Sequence, residues 1–148
     1  MPKAIVVVPT YNEIENIERL LRTVFSLQRE FHVLVVDDNS PDGTATAVES
    51  SFKIYPDKLF LLKRAQKNGL GTAYIAGFKW ALEHGYDYIF EMDADFSHNP
   101  DDLIRLYEAC AAGADVAVVP GHPLEVGGVV GQVGQRVQAA AEARATAG

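Results

Sequence analysis

The sequence predicts an α/β fold, an open and mainly parallel sheet with helices on both faces. Short β-branched runs alternate with longer stretches of helical periodicity, the pattern of repeated βαβ units. Acidic and turn-forming residues follow one strand after another, and in open α/β sheets the ligand sits beyond the carboxyl ends of the strands. At 148 residues the chain is long enough for one domain with its own core, since chains of this size bury roughly two-thirds of their unfolded surface.

The first strand is expected over Ala4 to Val8, ended by Pro9. A helix from about Ile14 to Ser26 carries Ile14, Ile17, Leu20, Leu21 and Val24 on one face, with Asn12 and Glu15 placed to cap it. The second strand, Val33 to Val36, runs into Asp37-Asp38-Asn39-Ser40-Pro41-Asp42-Gly43, whose side chains favour turns and caps. A helix from Thr44 to about Phe52 follows. The third strand, Leu59 to Leu62, leads through Lys63, Arg64, Lys67 and Asn68-Gly69-Leu70-Gly71 into a helix from about Thr72 to His84, which Gly85 terminates. The fourth strand, Tyr88 to Met92, delivers Asp93-Ala94-Asp95, after which Pro100 begins a helix over Asp101 to Ala112. Asp115 to Val119 makes a fifth strand. The organised domain therefore spans 1–120. Residues 121–148 form a Gly, Ala, Val and Gln-rich tail that offers little to bury, although a helix from about Gln132 to Thr146 would place Val133 and Val137 on one side.

Composition excludes several classes. A net charge of −7 argues against general affinity for nucleic acid or anionic lipid, because both require a basic surface. No stretch approaches the roughly 20 apolar residues of a membrane helix, and the N-terminus lacks the pattern of a secretory signal, so a cytoplasmic location is expected. Cys110, the single cysteine, sits among apolar neighbours at a packed helix position.

Four polar segments converge on one sheet edge: Pro9 to Glu13, Asp37-Asp38, the Lys63 to Gly71 loop, and Asp93-Ala94-Asp95. Asp93 and Asp95 share one face if extended, or approach one ion across a tight turn. Paired carboxylates suit Mg²⁺ or Mn²⁺, which take one or two from the protein and fill the remaining positions with water and substrate phosphate. The plain alternative is that both aspartates are turn residues and caps. Asp38 suits a ribose hydroxyl or a base N–H, with Asp37 bracing the loop. Tyr11 either offers its face to a base or packs over the first helix. Lys67, slightly preferred over Lys63 and Arg64, suits phosphate, and Gly69 and Gly71 permit close backbone approach before a helix N-terminus.

Taken together, "VVVPTYNEIENI", "VLVVDDNSPDGT", "KNGLGTAYIAGFKWAL" and "FEMDADFSHNPDDL" resemble the family-2 glycosyltransferases of GT-A fold, in the branch of the dolichyl-phosphate and polyprenyl-phosphate mannosyltransferases. The resemblance runs from Lys3 to about Val119. It implies that Pro9, Tyr11, Glu13, Val36 and Asp38 contact the nucleoside, usually guanosine, while Asp93, Ala94 and Asp95 hold the metal and the diphosphate. It further implies a GDP-mannose donor, a lipid-phosphate acceptor that brings peripheral membrane contact, inversion at the anomeric carbon, and a catalytic role for Asp95 exerted through the metal.

After Val119 the family continues with a Gly-Ser/Thr-Arg-Tyr motif, where this chain reads Pro120-Gly121-His122-Pro123. A truncated or frameshifted product, or one with a replaced tail, is therefore expected, and poor turnover with it. A nucleotide-sugar-binding remnant is the serious alternative, and a family-2 transferase with another donor sugar is a further one. Homo-oligomerisation would cover the apolar face of an incomplete sheet. A receiver-type signalling domain fits poorly, because its required lysine follows a later strand and the last lysine here is Lys79. A dinucleotide dehydrogenase fails because Pro9-Thr10-Tyr11 replaces the glycine-rich turn.

Overall fold

A computed structural model describes residues 3–66, 69–96, 99–112, 116–118 and 129–132. Their elements, in chain order, are β1 (Ala4–Thr10), α1 (Ile17–Phe25), β2 (His32–Asp37), α2 (Thr44–Ser50), β3 (Leu59–Lys63), α3 (Leu70–Glu83), β4 (Tyr88–Glu91), α4 (Asp102–Ala111), β5 (Val116–Val118) and β6 (Val129–Gln132). The strands form one sheet in the order β3-β2-β1-β4-β6-β5. Four of them, β3, β2, β1 and β4, run parallel, and β6 is antiparallel to both β4 and β5.

The period-2 alternation of strand side chains divides the core into two. Ala4, Val6 and Val8 of β1 pack with Val33 and Val35 of β2 against α1, α2 and α4, through residues such as Leu20, Val48 and Leu106. Ile5, Val7, Leu34 and Val36 point the other way, onto Ala73, Tyr74, Phe78 and Ala81 of α3. Both faces of the parallel strands are therefore apolar, which is why β1 and β2 read as continuous Val and Ile runs instead of alternating ones. Cys110 is buried on α4, as its neighbours imply.

Strand β1 continues through Pro9 to Thr10, two residues past the expected end. Its ladder explains this. Thr10 accepts from the Asp38 N–H on the β2 side and Val7 accepts from the Met92 N–H on the β4 side, so the Pro9 nitrogen falls beyond the last β4 pair, where no donor is needed. Helix α1 begins at Ile17, not Ile14, and Ile14 is exposed. Asn12, expected to cap, takes a left-handed φ of 58° instead. The amides of residues 12 to 14 are bound by side chains of the loop after β2 and of Thr44 at the start of α2, which holds this stretch out of the helix. Gly85 ends α3 at a φ of 77°, as expected. The clearest departure is β6. It lies inside the segment read as a tail, with Val129 and Val130 as its sequence trace, and its last residue, Gln132, was expected to open a helix. The rest of that expected helix, like Asp115 and Val119 at the ends of the fifth strand, lies outside the described residues.

Candidate functional site

Two loops are tied together at the carboxyl edge of the sheet. Asp37 is almost fully buried; its Oδ1 accepts from the Thr10 hydroxyl (2.7 Å) and the Ser40 hydroxyl (2.6 Å), and its Oδ2 accepts from the Ser40 N–H (3.0 Å). Ser40 Oγ in turn accepts from the Asn12 N–H (2.9 Å), Thr44 Oγ1 from the Glu13 N–H (3.0 Å), and Asp42 from the Ile14 N–H (3.1 Å). Desolvation opposes ionisation of Asp42, but the hydrogen bonds from Thr44 and from the Ile14 and Thr44 amides prevail and hold its carboxyl below the usual range. Asp37 thus braces the loop, and the segments after β1 and β2 form one unit.

Asp38 has a different partner. The Arg64 guanidinium donates to both carboxylate oxygens, from Nε to Oδ1 at 2.7 Å and from Nη2 to Oδ2 at 3.1 Å, with the two side chains 15 % and 7 % exposed. Arg64, one of three cations that the sequence offers to phosphate, is thus paired with Asp38. Lys63, a second candidate, lies on the surface against Glu49 at 3.5 Å. Lys67 lies outside the described residues.

Past β4, Asp93 is nearly buried, and its Oδ1 accepts from the buried Tyr74 hydroxyl at 2.7 Å. Asp95 is exposed. Phe96 follows with a φ of 62°, so the Asp-Ala-Asp segment ends in a tight turn, with Arg19 stacked over the Phe96 ring. A pocket of about 300 Å³ opens here, lined by Pro9, Thr10, Tyr11, Glu13, Asp38, Gly69, Ala73, Asp93, Ala94 and Asp95. Of the residues expected from the sequence to bind the donor, Pro9, Tyr11, Glu13, Asp38, Asp93, Ala94 and Asp95 share this one wall. Val36 does not line it, because its side chain is wholly buried under α3. Thr10, Ala73, Tyr74 and the Arg64 partnership with Asp38 were not legible, because nothing local in the sequence says which distant residue a hydroxyl or guanidinium will meet.

The donor set fits a hard cation shared with a substrate. Among the described residues, no group of three or more His, Cys, Asp or Glu side chains is close enough to enclose a metal. Two carboxylates two residues apart at a pocket wall match an ion that completes its shell with phosphate oxygens.

Residues 5–143 match the model of glycosyl transferase family 2. The chain belongs to that family. Among family-2 relatives it is 46% identical over 123 residues to the polyprenol monophosphomannose synthase of Mycolicibacterium smegmatis, covering 80% of this chain and 46% of that one. It is likewise 46% identical over 123 residues to the undecaprenyl-phosphate mannosyltransferase of Micrococcus luteus, covering 80% and 50%. A solved structure, a mannosyltransferase from Pyrobaculum calidifontis in complex with GDP-Man and Mn²⁺, superposes with a TM-score of 0.65 at 31% identity, over 79% of this chain and 34% of that one. The GT-A-like fold expected from the sequence is thereby borne out. The chain spans about half the length of the curated relatives it matches. Among the described residues no helix is long and apolar enough to cross a membrane.

Proposed function

We propose that this chain is the donor-binding part of a glycosyltransferase that transfers mannose from GDP-mannose to a dolichyl or polyprenyl phosphate, with inversion and with Mg²⁺ or Mn²⁺, at the cytoplasmic face of a membrane. The observation that carries the reading is that one pocket is lined both by Pro9, Tyr11, Glu13 and Asp38 and by Asp93, Ala94 and Asp95. The names of the relatives and the GDP-Man and Mn²⁺ of the structural neighbour support it.

In this reading Tyr11 and Asp38 hold the nucleoside, and the Asp93 to Asp95 turn receives the diphosphate. Tyr74 donates to Asp93 Oδ1 and so orients that carboxylate. A bound divalent cation would neutralise charge developing on the leaving diphosphate. No strong protein base is required, because a phosphate monoester acceptor is already largely ionised at neutral pH, its second pKa being about 6. Asp95 then acts by holding the cation.

Calorimetry with GDP and UDP, each with and without Mn²⁺, tests the donor site, and mannolipid formation from GDP-mannose and a polyprenyl phosphate in detergent tests transfer. Tighter binding of GDP than UDP, strengthened by Mn²⁺, is expected. Binding of neither nucleotide, or equal binding unaffected by Mn²⁺, would overturn the reading.

A further inference from the structure

Arg64 ties three parts of the pocket together. Its backbone N–H donates to the Asp37 carbonyl at 2.8 Å, its Nε and Nη2 clasp the Asp38 carboxylate, and Nη2 also reaches Thr72 Oγ1 at 3.0 Å, in the first turn of α3. The Thr72 hydroxyl donates its own proton to the Gly69 carbonyl at 2.9 Å, and Gly69 lines the pocket. The ends of β2 and β3 and the start of α3 are therefore joined through one guanidinium.

A carboxylate has about four acceptor positions, two on each oxygen. The guanidinium occupies one on each, and its rigid fork sets the plane of the carboxylate. Asp38 is left with acceptor capacity in a fixed plane at the pocket wall, suited to a pair of neighbouring donors such as a ribose diol or an N–H edge of a base. Asp37 cannot share that task, since it is almost fully buried, bound by Thr10 and Ser40, and does not line the pocket.

We propose that Arg64 is a positioning residue for nucleoside recognition: it orients Asp38 and, through Thr72, the Gly69 corner of the pocket, without itself contacting the nucleotide. This rests on the reading of the pocket as a nucleoside diphosphate site. Lysine cannot reproduce the two-pronged clasp, so Arg64→Lys should weaken GDP binding about tenfold, the scale of one lost charge-assisted hydrogen bond. The factor should be the same with and without Mn²⁺, because the proposed cation site lies at the β4 end.

The test is GDP calorimetry on the full chain, using wild type, Arg64→Lys, Asp38→Asn and the double variant, each with its thermal midpoint. Arg64→Met, which keeps the apolar stem, takes the place of the lysine variant should that one not fold. If Arg64 works through Asp38, its substitution costs less than about twofold once Asp38→Asn is already in place. An undiminished cost in the Asp38→Asn background would show that Arg64 does not act through Asp38 and would overturn the proposal. So would wild-type affinity in Arg64→Lys, which leaves the reading of the pocket standing. Absence of GDP binding by the wild type would bring down that reading, and the positioning role with it.

Discussion

Asp38 and Asp37 are adjacent in sequence and similar in burial, yet one faces the pocket clasped by Arg64 and the other is consumed by its own loop. The same contrast separates the two aspartates after β4: Asp93 is nearly buried and bound by Tyr74, whereas Asp95 is exposed at the pocket wall. Exposure makes Asp95 the cleaner target for substitution, since little of the core depends on it. Disturbing even the groups that brace a metal's ligands costs about 10–100-fold in metal affinity, so removal of a ligand should cost at least that much. Asp95→Ala is therefore expected to abolish the Mn²⁺-dependent part of GDP binding while leaving the thermal midpoint within a degree or two of wild type, an exposed substitution usually changing stability by less than ~0.5 kcal/mol. Mn²⁺ titrations at fixed GDP check this, and unchanged enhancement would remove Asp95 from the cation site. These carboxylates were legible as candidates in the sequence because they gather at the carboxyl ends of two strands. Their partners were not, because Tyr74 and Arg64 meet Asp93 and Asp38 only through the sheet order.

Elements were legible where periodicity was strong and less so where side chains of another loop decided the outcome. The continuous apolar runs of β1 and β2 and the apolar stripe of α1 marked strands buried on both faces and the helix that covers one of them. The start of α1 was misplaced because Ser40, Asp42 and Thr44 take the amides ahead of it. Strand β6 was missed because Gly-rich flanks hide a two-valine signal whose stabilisation comes from pairing with β4 and β5. The packing of α3 on β1 depends on one glycine. A Cβ at Gly77 would meet Val7 Cγ1 at 2.3 Å and its Cβ at 3.3 Å, and Val7 is fully buried in a central strand. Alanine would gain about 1 kcal/mol in helix propensity, but overpacking a closed core costs roughly 1–3 kcal/mol, and rotating Val7 cannot relieve a contact with its own Cβ. The Cγ1 approach is closer than any ordinary contact, so the cost falls in the upper part of that range, about 2–3 kcal/mol, and Gly77→Ala should lower stability by about 1–2 kcal/mol net, a fall of roughly 2–8 °C in thermal midpoint for a chain of this length. A midpoint equal to or above that of wild type would show that α3 can lift from the sheet without cost.

Across the whole molecule the two ends of the sheet do different work. The pocket occupies the carboxyl edge, while His32 opens β2 at the amino edge, roughly 20 Å away along six residues at about 3.3 Å each. His32 Nδ1 lies 2.7 Å from the Tyr86 hydroxyl, and Nε2 lies 3.5 Å from Glu30. Burial pushes the Tyr86 pKa up to about 12, so this hydroxyl keeps its proton, and the tautomer that turns Nε2–H toward Glu30 leaves Nδ1 to accept from it. Desolvation lowers the His32 pKa from 6.5; Glu30 opposes the shift, Lys3 and Lys58 add to it, and the net direction is down. The fold therefore favours neutral His32. Its contribution to stability is present above pH 6.5 and is lost as pH falls through 6.5 toward the lower folded value. Carboxylates held below their ordinary range, such as Glu30 beside Lys58, lose their contribution only in more acidic solution. Between about pH 7.5 and 5.5 the wild-type thermal midpoint should thus fall, and His32→Gln, which cannot take up a proton, should show a shallower fall. Sites this far apart with no shared partners usually act independently, so GDP affinity of the variant at about pH 7.5 should match wild type. Parallel pH profiles for the two proteins would show that His32 is not the titrating group, and a weakened nucleotide affinity would show that the amino edge of the sheet is coupled to the pocket.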